Sequence, residues 1–105
     1  MFDLEGKTCL ITGGAGSLGL AAAHLLHSHG ARLALVDLDL AALDAACDTA
    51  FGDAAAQVLR IAADVTDEAQ VRRAVSRTVE RFGALDVLIS NAGTFRTVAP
   101  IEDYP

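Results

Sequence analysis

The 105-residue sequence has no tryptophan, one tyrosine and four phenylalanines, so the stacking set that single-stranded nucleic acid uses is missing. Cations are scarce as well. Eight Lys and Arg against fourteen Asp and Glu leave a formal net charge of −6, and with no arginine-rich run this argues against a nucleic-acid partner. Cysteine is limited to Cys9 and Cys47, with no C-x-x-C and no paired spacing, so both read as small core hydrophobes. Long apolar runs are absent too: Met1 to Thr12 is short and interrupted by two acids and a lysine, which fits neither a signal peptide nor a bilayer span. A cytoplasmic address with no membrane partner is the resulting expectation. His24, His27 and His29 form an H-x-x-H-x-H string, but no carboxylate or thiolate joins them in the pattern, so a partly exposed helix face is expected and no metal site. What remains is a chain with 52% hydrophobic residues, ample for the core of one small domain or a piece of a larger one.

Glycine, by contrast, is concentrated in one place. Thr12-Gly13-Gly14-Ala15-Gly16-Ser17-Leu18-Gly19 follows an apolar, β-branched run (Lys7 to Thr12) and precedes a helical pattern from Ser17 to His29. At such a strand-to-helix turn, glycines let the backbone bend tightly and approach a pyrophosphate with no Cβ in the way, and Gly19 allows close helix-on-strand packing. The open N–H groups of Gly13, Gly16, Ser17, Leu18 and Gly19, with the positive end of the helix, form a candidate anion site. The alternative is a glycine turn that serves packing alone.

Further along, Leu18, Ala21, Ala22, Leu25 and Leu26 recur at helical spacing until Gly30. Arg32 to Asp37 is a nearly continuous apolar run ending in a carboxylate, as expected for a strand covered on both faces. Leu40, Leu43, Ala46, Cys47, Ala50 and Phe51 trace a second helix up to Gly52, and Asp53 to Ala56 reads as a connection. Gln57 to Ala62 reads as a third strand with Asp64-Val65 at its tip. Thr66 or Asp67 then caps a third helix, with Gln70 placed as in a capping box. Val71, Ala74, Val75, Thr78, Val79 and Phe82 form its buried stripe before Gly83. Asp86 to Ser90 is a fourth strand, Asn91-Ala92-Gly93 a tight turn, and Thr94 to Pro105 an irregular segment.

Strict strand–helix alternation implies an α/β fold with a parallel sheet of four strands and three crossover helices. Right-handed crossovers in the order 3-2-1-4 put the first two helices on one face and the third on the other. The glycine turn, Asp37, Asp64-Val65 and Asn91-Ala92-Gly93 all follow strands and so share the carboxyl edge, where open α/β sheets bind ligands. Asp37 lies 18 positions after Gly19, close to the spacing at which an acid accepts from the adenine ribose hydroxyls. Asp64 and the Val65 backbone could meet an adenine edge, and Asn91, Ala92 and Gly93 could bring bare backbone to a nicotinamide ribose. Singly, each of these also reads as an ordinary strand-end acid or turn. No base near Asp37 or in the glycine turn would neutralise a 2′-phosphate, so NAD is expected in preference to NADP.

Taken together, TGGAGSLG, Val36-Asp37, Asp64-Val65 and Asn91-Ala92-Gly93 resemble the short-chain dehydrogenase/reductase family along essentially the whole chain. That resemblance implies a Rossmann-type doubly wound sheet and NAD(P)-dependent hydride transfer between a small alcohol and a carbonyl compound, in a homo-oligomer once complete. The DV and NAG signatures point to its shorter, commoner branch, whose TGxxxGxG string is matched at Thr12, Gly13 and Gly19 with Ser17 at the middle glycine. Ser90 likewise replaces the Asn that often precedes NAG. The register Thr12-Gly13-x-x-Gly16-x-x-Gly19 instead resembles the extended, sugar-nucleotide epimerase/dehydratase branch. The family's catalytic Ser and Y-x-x-x-K are not found: Tyr104 is the sole tyrosine and Pro105 follows it. The chain is therefore expected to be the N-terminal, cofactor-binding part of one incomplete domain, inactive alone. A non-catalytic dinucleotide-binding or sensor module is the alternative.

Overall fold

Five consecutive buried residues, Thr8–Thr12, form β1 at the centre of the sheet. The computed structural model describes residues 4–90 and the strand 97–100. After β1 come α1 (Ser17–Ser28), β2 (Arg32–Asp37), α2 (Leu40–Phe51), a 3-10 segment (Gly52–Gln57), β3 (Leu59–Ala62), α3 (Glu68–Phe82), β4 (Val87–Ser90) and β5 (Thr97–Pro100). The sheet order is β3-β2-β1-β4-β5, and the first four strands are parallel. The expected 3-2-1-4 order and α/β class are therefore found.

Buried residues on the two faces explain why each crossover returns as it does. Cys9, Ile11, Leu33 and Leu35 point to one side, where they meet Ala23 of α1 and Leu43 and Cys47 of α2. Leu10, Ala34, Val36 and Ile61 point to the other and pack with Ala74 of α3 and Leu88. Because successive strand residues alternate faces, a strand with helices on both sides must be apolar throughout. β2 meets that condition from Leu33 to Val36, all buried.

Leu40 of α2 (45% exposed) and Val79 of α3 (41%) lie off the buried stripes expected of them, and β3 begins at Leu59 instead of Gln57, which belongs to the 3-10 segment. The structure departs from the sequence reading in four further places. In α1 the buried residues are Gly19 and Ala23, while Leu18 (47% exposed) and Leu25 (56%) face outward. A run of small residues lets the helix approach the sheet closely, and that turns Leu18 and Leu25 outward while Ala22 and Leu26 still pack against the core as expected. The expected Asp53 to Ala56 connection is part of a 3-10 turn. Gln70 does not close a capping box, since its side chain reaches back past Asp67 to the Asp64 N–H. Within the stretch expected to be irregular, β5 pairs antiparallel with β4, setting Ser90 opposite Thr97 and Val87 opposite Pro100. Pro100 has no N–H to give, which suits an edge strand.

Asp39 and Asp67 cap α2 and α3, each accepting from two main-chain N–H groups of the first turn. Gly83 ends α3 in the left-handed region (φ 86°). No helix among the described residues is long and apolar enough to cross a membrane.

Candidate dinucleotide site

The glycine turn lies between β1 and α1 on the edge where the parallel strands end. Gly13 has φ 70°, a conformation that L side chains rarely adopt. Gly14 is held by its N–H to the Val36 carbonyl at 3.0 Å, and a Cβ there would stand 2.8 Å from the Leu35 Cβ. Gly16 is the N-cap of α1 and supplies no side-chain cap, and its own N–H, expected to be open, donates to the Gly13 carbonyl at 3.2 Å. Leu20 N–H is the first to close onto the Gly16 carbonyl, so the N–H groups of Ser17, Leu18 and Gly19 precede the helix's own ladder. α2 and α3 have a carboxylate at that position and α1 has none, which leaves its positive end open to an exogenous anion.

Asp37 ends β2 beside this turn. One carboxylate oxygen accepts from the Ala15 N–H at 2.9 Å and the other from the Leu38 N–H at 2.8 Å. Two N–H donors fix the carboxylate plane, and each oxygen keeps a lone pair for a further donor. Ala63 N–H donates to the Asp37 carbonyl at 2.9 Å, which brings the tip of β3 alongside. Asp64 follows there. Its Oδ1 accepts from the Thr66 hydroxyl at 2.6 Å and the Thr66 N–H at 2.9 Å, and these bonds, the hydroxyl's foremost, hold its pKa below the ordinary aspartate value.

Gly13, Asp37, Asp64 and Val65 line one cavity of about 150 Å³. A second of about 150 Å³ adjoins it through Ala63 and Val65 and runs under α3, lined by Thr12, Val71, Val75 and Ser90 among others. Asn91, Ala92 and Gly93 lie outside the described residues. The structure thus brings together the glycine turn, Asp37, Asp64 and Val65 from three separate strand ends. It adds two groups that sequence reasoning missed. Ala15 contributes a main-chain N–H that no side-chain pattern announces. Gln70 accepts from the Asp64 N–H at 2.8 Å while its amide donates to Asp67 at 3.1 Å, so it holds the Asp64 turn; its spacing from Asp67 was the available signal.

The cysteines and histidines add no chemistry here. Burial raises the pKa of both Cys9 and Cys47, with Asp86 adding to the effect at Cys9, so neither is a ready thiolate. No group of three or more His, Cys, Asp or Glu among the described residues could hold a metal ion. His24 and His27 pack instead against Phe51.

Residues 7–105 match the family model described as short chain dehydrogenase. Sorbitol dehydrogenase of Cereibacter sphaeroides is 43% identical over 100 residues, which make up 95% of this chain and 37% of that protein. Among solved structures, a short-chain dehydrogenase/reductase of Brucella melitensis superposes with a TM-score of 0.80 at 35% identity, covering 90% of this chain and 39% of that one. Another, from Burkholderia phymatum and in complex with NAD, gives 0.75 at 35% identity, covering 84% and 31%. The chain spans less than two thirds of the length of the curated relatives it matches. The chain belongs to the short-chain dehydrogenase family.

Proposed function

We propose that the protein is an NAD-dependent oxidoreductase acting between a small alcohol and its carbonyl counterpart, and that residues 1–105 form the N-terminal, cofactor-binding part of its single domain. The observation that carries the reading is the pairing of an uncapped α1 with a carboxylate fixed beside the same turn. In this reading the N–H groups of Ser17, Leu18 and Gly19 hold the pyrophosphate, while Gly13, Gly14 and Gly16 keep side chains away from it. Asp37 accepts from the adenine ribose hydroxyls, Asp64 and Val65 border the adenine, and Asn91 to Gly93 meet the nicotinamide ribose. When bound, the nicotinamide supplies the hydride donor or acceptor. Within these 105 residues no side chain is assigned to proton transfer, so the isolated chain is expected to be inactive. General acid–base help alone is worth about 10² to 10⁴ in rate.

Asp37 also carries the preference for NAD. A 2′-phosphate would face this carboxylate at a cost of up to about 4 kcal/mol per charge pair at an effective dielectric near 20. Screening lowers that to about 1 to 3 kcal/mol, roughly 5- to 150-fold in affinity. The test is titration of both cofactors into the complete protein and its Asp37→Ala variant. NAD should bind more tightly to the parent, and the variant should lose most of the discrimination; equal or tighter binding of NADP by the parent refutes the assignment. A non-catalytic dinucleotide-binding module is the second reading. Hydride transfer by a longer chain that includes Y-x-x-x-K decides against it. A soluble cytoplasmic homo-oligomer without nucleic-acid partners completes the proposal.

A further inference from the structure

At the opposite edge of the sheet, where β2 begins rather than ends, lies a groove of about 480 Å³. Arg32 opens β2 and Asp37 closes it, so at about 3.3 Å per residue the groove is roughly 17 Å from the glycine turn and outside the reach of that site. Its floor includes Ala31, Leu33 and Val58, all buried apolar residues, and its walls carry Arg32, Arg81 and His27. No carboxylate is among the described residues that line it, in a chain whose net charge is −6. Glu5 packs against Gly30 at the rim, where its Oε2 would lie 3.2 Å from a Cβ on that glycine.

Exposed arginines usually sweep through many rotamers, and these two are tethered. Arg32 Nη1 donates to the Phe82 carbonyl at the end of α3, at 3.2 Å. Arg81 Nη2 donates to the Ala56 carbonyl in the 3-10 segment at 3.4 Å, and its guanidinium lies 5.5 Å from the centre of the Phe82 ring. Neither takes part in the described ion pairs, which use Arg60 and Arg72. Each tether uses one donor of a five-donor fork, and among the described residues no further hydrogen bond or ion pair holds either guanidinium. Two such forks over an apolar floor suit a ligand with a planar carboxylate on a flat apolar body: the forks match carboxylate geometry and the floor takes the body.

We propose that this groove is a second ligand site, one for small aromatic or similarly flat carboxylates. It does not depend on the cofactor reading.

The test is titration of the protein with benzoate, followed through the Arg32 and Arg81 side-chain N–H resonances in ¹H–¹⁵N spectra, with inorganic phosphate and benzyl alcohol in parallel. Benzoate should give saturable shifts at both arginines with a Kd near or below about 1 mM. Phosphate, which has no apolar body, and benzyl alcohol, which has no carboxylate, should each bind at least several-fold more weakly. Arg32→Ala and Arg81→Ala should each weaken benzoate about tenfold or more. Arg81→Lys keeps the charge and removes the fork, so it too should lose several-fold. The proposal is overturned if benzoate gives no saturable shift at either arginine, if either control binds as well as benzoate, or if benzoate binds Arg81→Lys as tightly as the parent.

Discussion

Gly14→Ala isolates a demand that the glycine motif hides, because the position needs space and not an unusual dihedral angle. Its φ is not positive, yet a Cβ would lie 2.8 Å from the Leu35 Cβ and 3.5 Å from the Leu35 Cα. Leu35 is fully buried in β2, and its Cβ is fixed by the backbone, so no rotamer change gives relief. Turn and strand must part by about 0.6 Å (from 2.8 to 3.4 Å) before the contact becomes ordinary, and the Gly14 N–H bond to Val36 stretches with them. Overpacking of this kind costs about 1 to 3 kcal/mol. Loss of glycine's freedom in the unfolded chain returns about 0.4 to 1 kcal/mol. Low end against low end and high against high, the net is a destabilisation of about 0.6 to 2 kcal/mol, or a fall in Tm of roughly 2 to 16 °C for a chain of this size. Gly83 provides the contrast, since it has open space and φ 86°. There Gly83→Asn should be milder than Gly83→Ala, because Asn tolerates the left-handed region, whereas Gly14→Asn should be worse than Gly14→Ala. Thermal melts of the four variants by circular dichroism are the assay. A Gly14→Ala protein melting at or above the parent would refute the packing argument.

The Thr8 hydroxyl is buried without a partner among the described residues, so Thr8→Val should raise stability by about 1 kcal/mol in chemical denaturation; an unchanged or lower midpoint argues against an orphaned hydroxyl. Asp64 has a folded-state pKa below its ordinary value, so its contribution to stability is complete above the unfolded pKa of about 3.9 and is lost as pH falls through the folded value. Thr66→Val should flatten that acid limb in denaturation measured from pH 6 down to 2, and an identical limb would remove Asp64 from the account. Cys9 and Cys47 should resist iodoacetamide at pH 8 in the native state and react together on unfolding, which mass spectrometry can follow; rapid native alkylation of either contradicts its burial.

How much of this was legible in the sequence depended on whether a feature was local. β2 was read to its exact ends, because Arg32 to Asp37 is a closed apolar run with charged residues at both limits. In α1 the close packing expected of Gly19 is found, but Leu18 and Leu25 were misplaced and Ala23 overlooked, because Ala and Gly carry almost no hydropathy contrast and steric closeness to the sheet, not apolarity, chose the buried residues. β5 was masked by Pro100, which reads as a breaker unless the strand is known to be at an edge. At the site, Asp37 could be assigned to the carboxyl edge because it closes the apolar run of β2. Its bond to Ala15 could not, since the partners are 22 residues apart and the donor is main chain. The amino-edge groove was invisible for the same reason: its lining comes from α1, β2, the 3-10 segment and α3.

That long-range bond from Ala15 to Asp37 has a consequence for the timing of events at the turn. A glycine-rich loop left to itself samples many shapes, and a ligand must then wait for, or impose, the one it needs. Here β1, the turn, α1 and β2 are closed into a single loop by a carboxylate before any ligand arrives. The Ala15 amide, although outside regular secondary structure, should therefore exchange with deuterium as slowly as the neighbouring strands, and binding at the turn should proceed in one kinetic phase without a preceding ordering step.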